Sequence, residues 1–131
     1  ADIHKPHHQR IKWHGPLQHS VMLDMCSVAD AFIMPFHVSP LIEGADPIKL
    51  YEYISFRRPV IVKYYKEISQ FRPFVYFYND EESYHILIDK LQTNDLPAKG
   101  KDKDVIKYLS KCSWEARAEE MLSVIRCRVL K

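Results

Sequence analysis

Glycine is scarce, with three in 131 residues where average usage would supply about nine. Together with a hydrophobic fraction of 47%, that leaves room for one compact domain with a real core. Cysteine is also rare. Cys26, Cys112 and Cys127 are odd in number, far apart and in no CxxC arrangement, which argues against a disulfide framework and against a cysteine zinc site. A reducing compartment, the cytoplasm, fits such usage. No charge of one sign dominates: 19 Lys+Arg stand against 17 Asp+Glu, spread along the chain, so a nucleic-acid-binding stripe is not indicated. No apolar run approaches the roughly 20 residues that span a bilayer. Ala1 to Arg10 is polar and histidine-rich rather than a signal peptide, and residues 1–9 read as a disordered or tag-like terminus ahead of a single unit over 10–131.

Four short apolar runs alternate with segments of helical spacing, and this alternation predicts βα units laid into a parallel sheet. The runs are Arg10–His14, Ala31–Phe36, Pro59–Val62 and Phe74–Tyr78. The second and third are continuously apolar, as strands covered on both faces should be, and are expected to be central. Leu17, Val21, Met25 and Val28 recur at helical spacing and predict a packing helix. Asp46 followed by Pro47 predicts an N-cap and first helical turn near 47. Asn79 with Glu82 reads as a capping-box variant ahead of a helix whose apolar face is Tyr84, Leu87, Ile88 and Leu91. Thr93–Asp104 has loop composition, and two helices follow at about 103–110 and 114–128.

Pro35–Ile54 carries the chemistry, because it leaves a buried strand and opens a helix. In doubly wound sheets ligands bind beyond the carboxyl ends of the strands. Unpaired N–H groups at residues 47 to 50, proline excepted, favour an anion such as a diphosphate there. Lys49 and Glu52, three residues apart, share a helix face close to that terminus. A lysine supplies charge to phosphates, and a carboxylate can accept from both hydroxyls of a ribose diol. The same spacing suits an ordinary solvated Lys–Glu pair.

Asp-Pro-Ile-Lys-Leu-Tyr-Glu-Tyr-Ile over 46–54, then Arg-Arg-Pro-Val-Ile-Val over 57–62, resembles the P-x-K-x-x-E-Y and G-K-P-V-V stretches of GT-B-type glycosyltransferases related to glycosyltransferase family 4. Three flanking stretches are similar to the same template, in the same order: Ile11–Pro16, Val28–Phe36 and Ser113–Arg117. The resemblance covers about 10 to 129. It implies the carboxy-terminal half of a GT-B fold, a Rossmann-like parallel sheet with helices on both faces. It implies a nucleoside-diphosphate sugar as donor, no cofactor and no metal. Glu52 would hold the ribose hydroxyls, Ile48 and Lys49 would lie at the diphosphate, and Gly15, Pro16 and Leu17 would border the base. Glu43 and Gly44 would face the transferred sugar. Lys49 and Glu43 are the catalytic candidates, although Glu43 misses the eight-residue E-x7-E spacing of the wider family. The resemblance implies retention of the anomeric configuration, with catalysis resting mainly on stabilisation of the leaving diphosphate by the helix terminus and Lys49. The acceptor, a glycan or lipid-linked glycan, would be held by an amino-terminal domain, in a cytoplasmic enzyme with a peripheral position at the inner membrane open to it.

Two departures stand out. Arg57 occupies the position of the family's turn glycine, which predicts an altered turn or a non-glycine left-handed residue. No strand–helix unit with basic phosphate contacts precedes Arg10, so the resemblance begins part-way into the domain. Other features have plainer readings. His4, His7 and His8 read as adventitious, and His14, His19, His37 and His85 as polar surface groups, with His37 best placed because it follows a central strand. Phe74–Tyr78 reads as core rather than a stacking platform. A non-catalytic module of the same fold, or a receiver- or flavodoxin-like regulator, are rivals; the absence of an acidic cluster at the first strand end weakens the second.

This chain alone is expected to transfer no sugar, since holding two reactants in line supplies about 7–11 kcal/mol that a lone donor half lacks. An unpaired edge at Arg10–His14 is expected to favour self-association. Donor hydrolysis and transfer assays on the purified monomer check the first expectation, and robust turnover would overturn it.

Overall fold

The computed structural model describes residues 9–129; His4, His7 and His8 lie outside them. Strands β1 (Phe32–Met34), β2 (Val60–Lys63) and β3 (Tyr76–Tyr78) lie side by side in chain order, and both pairs are parallel. Parallel neighbours cannot be joined by a tight hairpin, so each pair requires a crossover. The first crossover carries α2 (Pro40–Glu43) and α3 (Ile48–Ser55), and the second a 3-10 helix, Lys66–Phe71. Helix α1 (His19–Ser27) precedes the sheet, and α4 (Glu81–Gln92), α5 (Asp102–Lys111) and α6 (Trp114–Val129) follow it. The protein is thus mixed α/β with a small parallel sheet, and the predicted Pro59–Val62 strand is its middle strand.

Val60, Ile61 and Val62 are fully buried. Register places Phe32, Met34, Val60 and Val62 on one face and Ile33, Ile61, Tyr76 and Tyr78 on the other. On the first face lie Leu50 and Ile54 of α3, Ile68 and Phe71 of the 3-10 helix, and Val105 of α5. The Phe32 ring stacks on Tyr53 of α3, centroids 4.4 Å apart and planes 5° from parallel. On the second face α4 packs over β3, with the Tyr84 ring 5.0 Å from that of Tyr78. Over β1 that face is uncovered, and Ile33 remains 38% exposed.

Several expectations are corrected. Arg10–His14 is not a strand: among the described residues it joins neither edge of the sheet, and Ile11 and Trp13 are exposed. Ala31–Phe36 contributes only three strand residues, and β1 is an edge rather than a central strand, ending where Pro35 has no N–H to give. The α1 stripe exists but faces solvent, with Leu17, Val21, Met25 and Val28 all exposed, while Cys26 and Ala29 touch the core. Pro47, not Asp46, is the N-cap of α3, and Asp46 instead accepts a hydrogen bond from the Tyr51 hydroxyl at 3.0 Å. The capping box of α4 sits one residue later than expected. The Asp80 carboxylate accepts from the Ser83 N–H at 2.8 Å and the Ser83 hydroxyl accepts from the Asp80 N–H at 3.1 Å, because Ser83, not Glu82, occupies the third helical position. Phe74 and Val75 are core, whereas Tyr76–Tyr78 form a half-buried strand.

Arg57, between α3 and β2, has φ 56°, the left-handed conformation that favours glycine. A non-glycine residue there costs about 1–2 kcal/mol. Its guanidinium recovers contacts: Nε donates to Asp102 Oδ1 at 2.8 Å, Nη1 to the Lys99 carbonyl at 3.1 Å and Nη2 to the Gly100 carbonyl at 2.8 Å. The turn after α3 is thereby tied to the start of α5. Arg57→Ala and Arg57→Gly both lose these contacts, but only glycine relieves the backbone. In urea denaturation the alanine variant should be the less stable by about 1 kcal/mol. Equal stability would show that the turn carries no strain.

Candidate functional site

Helix α3 runs back between two parallel strands, so its N-terminus lies at the sheet edge where β1 ends at Met34. The loop arriving there contains α2, capped by Ser39 Oγ accepting from the Ile42 N–H, with Pro40 in the first turn. At the start of α3 the open donors are narrower than the 47–50 expected. Pro47 has no N–H and no side-chain cap, and the Leu50 N–H donates to the Pro47 carbonyl at 2.9 Å. Among the described residues neither the Ile48 nor the Lys49 N–H donates to a protein acceptor. Gly44 closes α2 with φ −93°, a conformation open to any residue, and a Cβ there would meet nothing within 4 Å. Its bareness leaves space rather than permitting a turn.

Lys49 Nζ donates to Glu52 Oε2 at 2.7 Å, so the two residues predicted to share a face do touch. The other carboxylate oxygen is also engaged: His19 Nε2, the first residue of α1, lies 2.9 Å from Oε1. Burial raises the Glu52 carboxyl, but hydrogen bonds from Lys49 and His19 outweigh it and hold the group below its ordinary value. This His19–Glu52 contact joins α1 to α3.

A second polar cluster fixes the loop ahead of α3. Asp46 accepts from the Tyr51 hydroxyl, and Arg117 Nη2 of α6 reaches both Asp46 Oδ2 and the Tyr51 hydroxyl at 3.2 Å. The Arg117 guanidinium also lies over the rings of Tyr51 and Trp114, at 5.6 and 5.8 Å. Burial, then the hydrogen bond to Asp46, pushes the Tyr51 hydroxyl above its ordinary value. The last helix is thus anchored to the loop entering α3 through Arg117, a residue of the Ser113–Arg117 stretch.

The sequence-selected residues fall into two groups. Lys49 and Glu52 are in contact, and Ile48 stands exposed beside them. Gly15, Pro16 and Leu17 form the approach to α1, with Gly15 in the left-handed region at φ 67°, so the chain reaches Glu52 through His19 two residues after Leu17. Glu43 ends α2 with an exposed side chain, and among the described residues no hydrogen bond or ion pair joins it to Lys49 or Glu52. His37 is exposed in the loop after β1. Sequence reasoning missed the parts played by His19 and Asp46. His19 lies 33 residues from Glu52, and Arg117 lies 71 from Asp46, so no local spacing announced either contact.

A cleft of about 500 Å³ lies elsewhere, at the amino ends of β1 and β2, lined by Asp30, Arg57, Arg58, Pro59, Leu91 and Leu96 among others. It is on the opposite sheet edge from Lys49 and Glu52. No described helix is long and apolar enough to cross a membrane.

The lowered Glu52 carboxyl makes a signed prediction. Its pairing contributes stability above the ordinary carboxyl value of 4.5, and the contribution is lost as pH falls through the lower folded value. The stability gap between wild type and Glu52→Gln should therefore be present at neutral pH and close below about pH 4.5; denaturation at a series of pH values reads it, and a gap independent of pH would contradict the pairing. No protein-family model, curated protein or solved structure matches this chain, so a functional reading rests on the α3 terminus and the residues around it.

Proposed function

We propose that this chain is the donor-binding half of a GT-B glycosyltransferase, taking a nucleoside-diphosphate sugar at the N-terminus of α3. The observation that carries the reading is the Lys49–Glu52 pair in the first turns of a helix with open N–H groups, at the carboxyl edge of a parallel sheet. Each part has a matching ligand group. The N–H groups of Ile48 and Lys49 and the positive end of the helix suit a diphosphate. The ammonium of Lys49 adds charge at the same point, and the Glu52 carboxylate suits a vicinal diol. The open space at Gly44 leaves the sugar end of the donor unobstructed.

Catalysis would be electrostatic. As the glycosidic bond to the diphosphate breaks, negative charge grows on the leaving oxygen, and prepositioned N–H donors and Lys49 stabilise it more than they stabilise the bound donor. The acceptor would come from a second domain. The exposed Met121, Leu122 and Ile125 of α6 are compatible with packing against one.

Calorimetry of the chain with nucleoside diphosphates and their sugars tests the reading. Glu52→Ala should weaken binding by about 1.5–3 kcal/mol, the usual worth of hydrogen bonds to a charged group, with circular dichroism unchanged. No measurable binding by the wild type, or unaltered affinity in a folded Glu52→Ala, would reduce the Lys49–Glu52 pair to a structural contact and favour a non-catalytic module.

A further inference from the structure

We propose that His19 gates the α3 site by competing with a ribose hydroxyl for Glu52 Oε1. The inference rests on the donor-binding reading above and adds the regulation of that site. A diol pairs most directly with one carboxylate oxygen for each hydroxyl, and each oxygen already carries a partner, Oε2 Lys49 at 2.7 Å and Oε1 His19 at 2.9 Å, so a ribose must compete with both.

The two partners differ in how a ligand dislodges them. Lys49 is one turn away on the same helix, and a diphosphate at the helix terminus brings negative charge that draws the ammonium off Oε2. His19 belongs to another helix, and a ligand's ribose offers it no such replacement. The His19 side chain is 63% exposed against 22% for Glu52, so the imidazole lies on the solvent side of the carboxylate it covers. It is also the first residue of α1, directly after the Gly15–Gln18 approach, where Gly15 holds a left-handed φ of 67°. The imidazole over Glu52 thus directly follows the segment proposed to border the base.

Two binding comparisons test the gate. The probes are uridine, guanosine and adenosine 5′-diphosphates and their 2′-deoxy counterparts, titrated into wild type, His19→Ala and His19→Gln. Removing the competitor should tighten ribonucleotide binding by about 1.4- to 5-fold, the range for an exposed polar side-chain pair, and tighten deoxyribonucleotide binding less, since the 3′-hydroxyl alone remains to take the carboxylate. Glutamine, which can still donate one neutral hydrogen bond, should fall between alanine and wild type, and serves alone if alanine disturbs α1.

Wild-type discrimination between ribo and deoxy probes without any gain in the His19 variants would overturn the gate while leaving the donor-binding reading intact. Failure of every probe to bind any of the three proteins would overturn both. The contact itself has a readout without ligand: the His19 ring resonances should shift on Glu52→Gln, and unmoved resonances would sink the gate whatever the binding data show.

Discussion

The parallel pairing of β2 on both of its edges is the constraint from which the rest follows. Val60, Ile61 and Val62 are buried on both sheet faces, so each face must be covered and each neighbouring strand must arrive in the same direction. The chain must therefore cross over between β1 and β2. The crossover helix, α3, runs back over the sheet and presents its N-terminus at the carboxyl edge. Position and polarity of the candidate site are consequences of that topology: an antiparallel hairpin at the same point would have left no helix terminus there.

Two left-handed backbone positions meet contacts distant in sequence. Arg57 keeps a left-handed backbone because Asp102 and two carbonyls of the 99–100 loop receive its guanidinium. Gly100, with φ 78°, lets that loop pass over the Phe74 ring, where an added Cβ would meet Cδ1 at 2.9 Å. The lysine-rich segment that reads as a loop is therefore a fixed strap. Lys99 donates to the carbonyls of Arg72 and Val75, and burial lowers its ammonium from the ordinary value.

Around α3 the polar contacts are similarly long-range. His19 from α1 and Arg117 from α6 close on the same helix, one through Glu52 and the other through Tyr51 and Asp46. The helix that carries Lys49 and Glu52 is thus referenced to both ends of the described chain. A change in the position of α1 or α6 would be felt at its first turn, which is a physical basis for coupling the site to whatever surfaces those helices contact.

Periodicity and capping chemistry were enough to locate most elements. The apolar runs at 59–62 and 74–78, the helical spacing after Asp80 and the tryptophan-led last helix all formed near the expected positions, because burial and backbone pairing are encoded locally in apolar spacing and turn residues. The contact between Lys49 and Glu52 was legible for the same reason, since three residues is a fixed distance on a helix. Other features depended on neighbours. Arg10–His14 has strand-like residues but joins no sheet among the described residues, and a strand is defined by its pairing, which no segment contains by itself. The α1 stripe has helical spacing but faces solvent, because which side of a helix is covered is set by what packs on it. His19 reached Glu52, and Asp46 left its expected cap for Tyr51 and Arg117, through folding that brought together residues 33 and 71 apart. The sequence alone determined the order of the strands and main helices from α1 onward and the Lys49–Glu52 face. Only tertiary structure decided which oxygens of Glu52 are engaged, because that depends on where a second helix comes to rest.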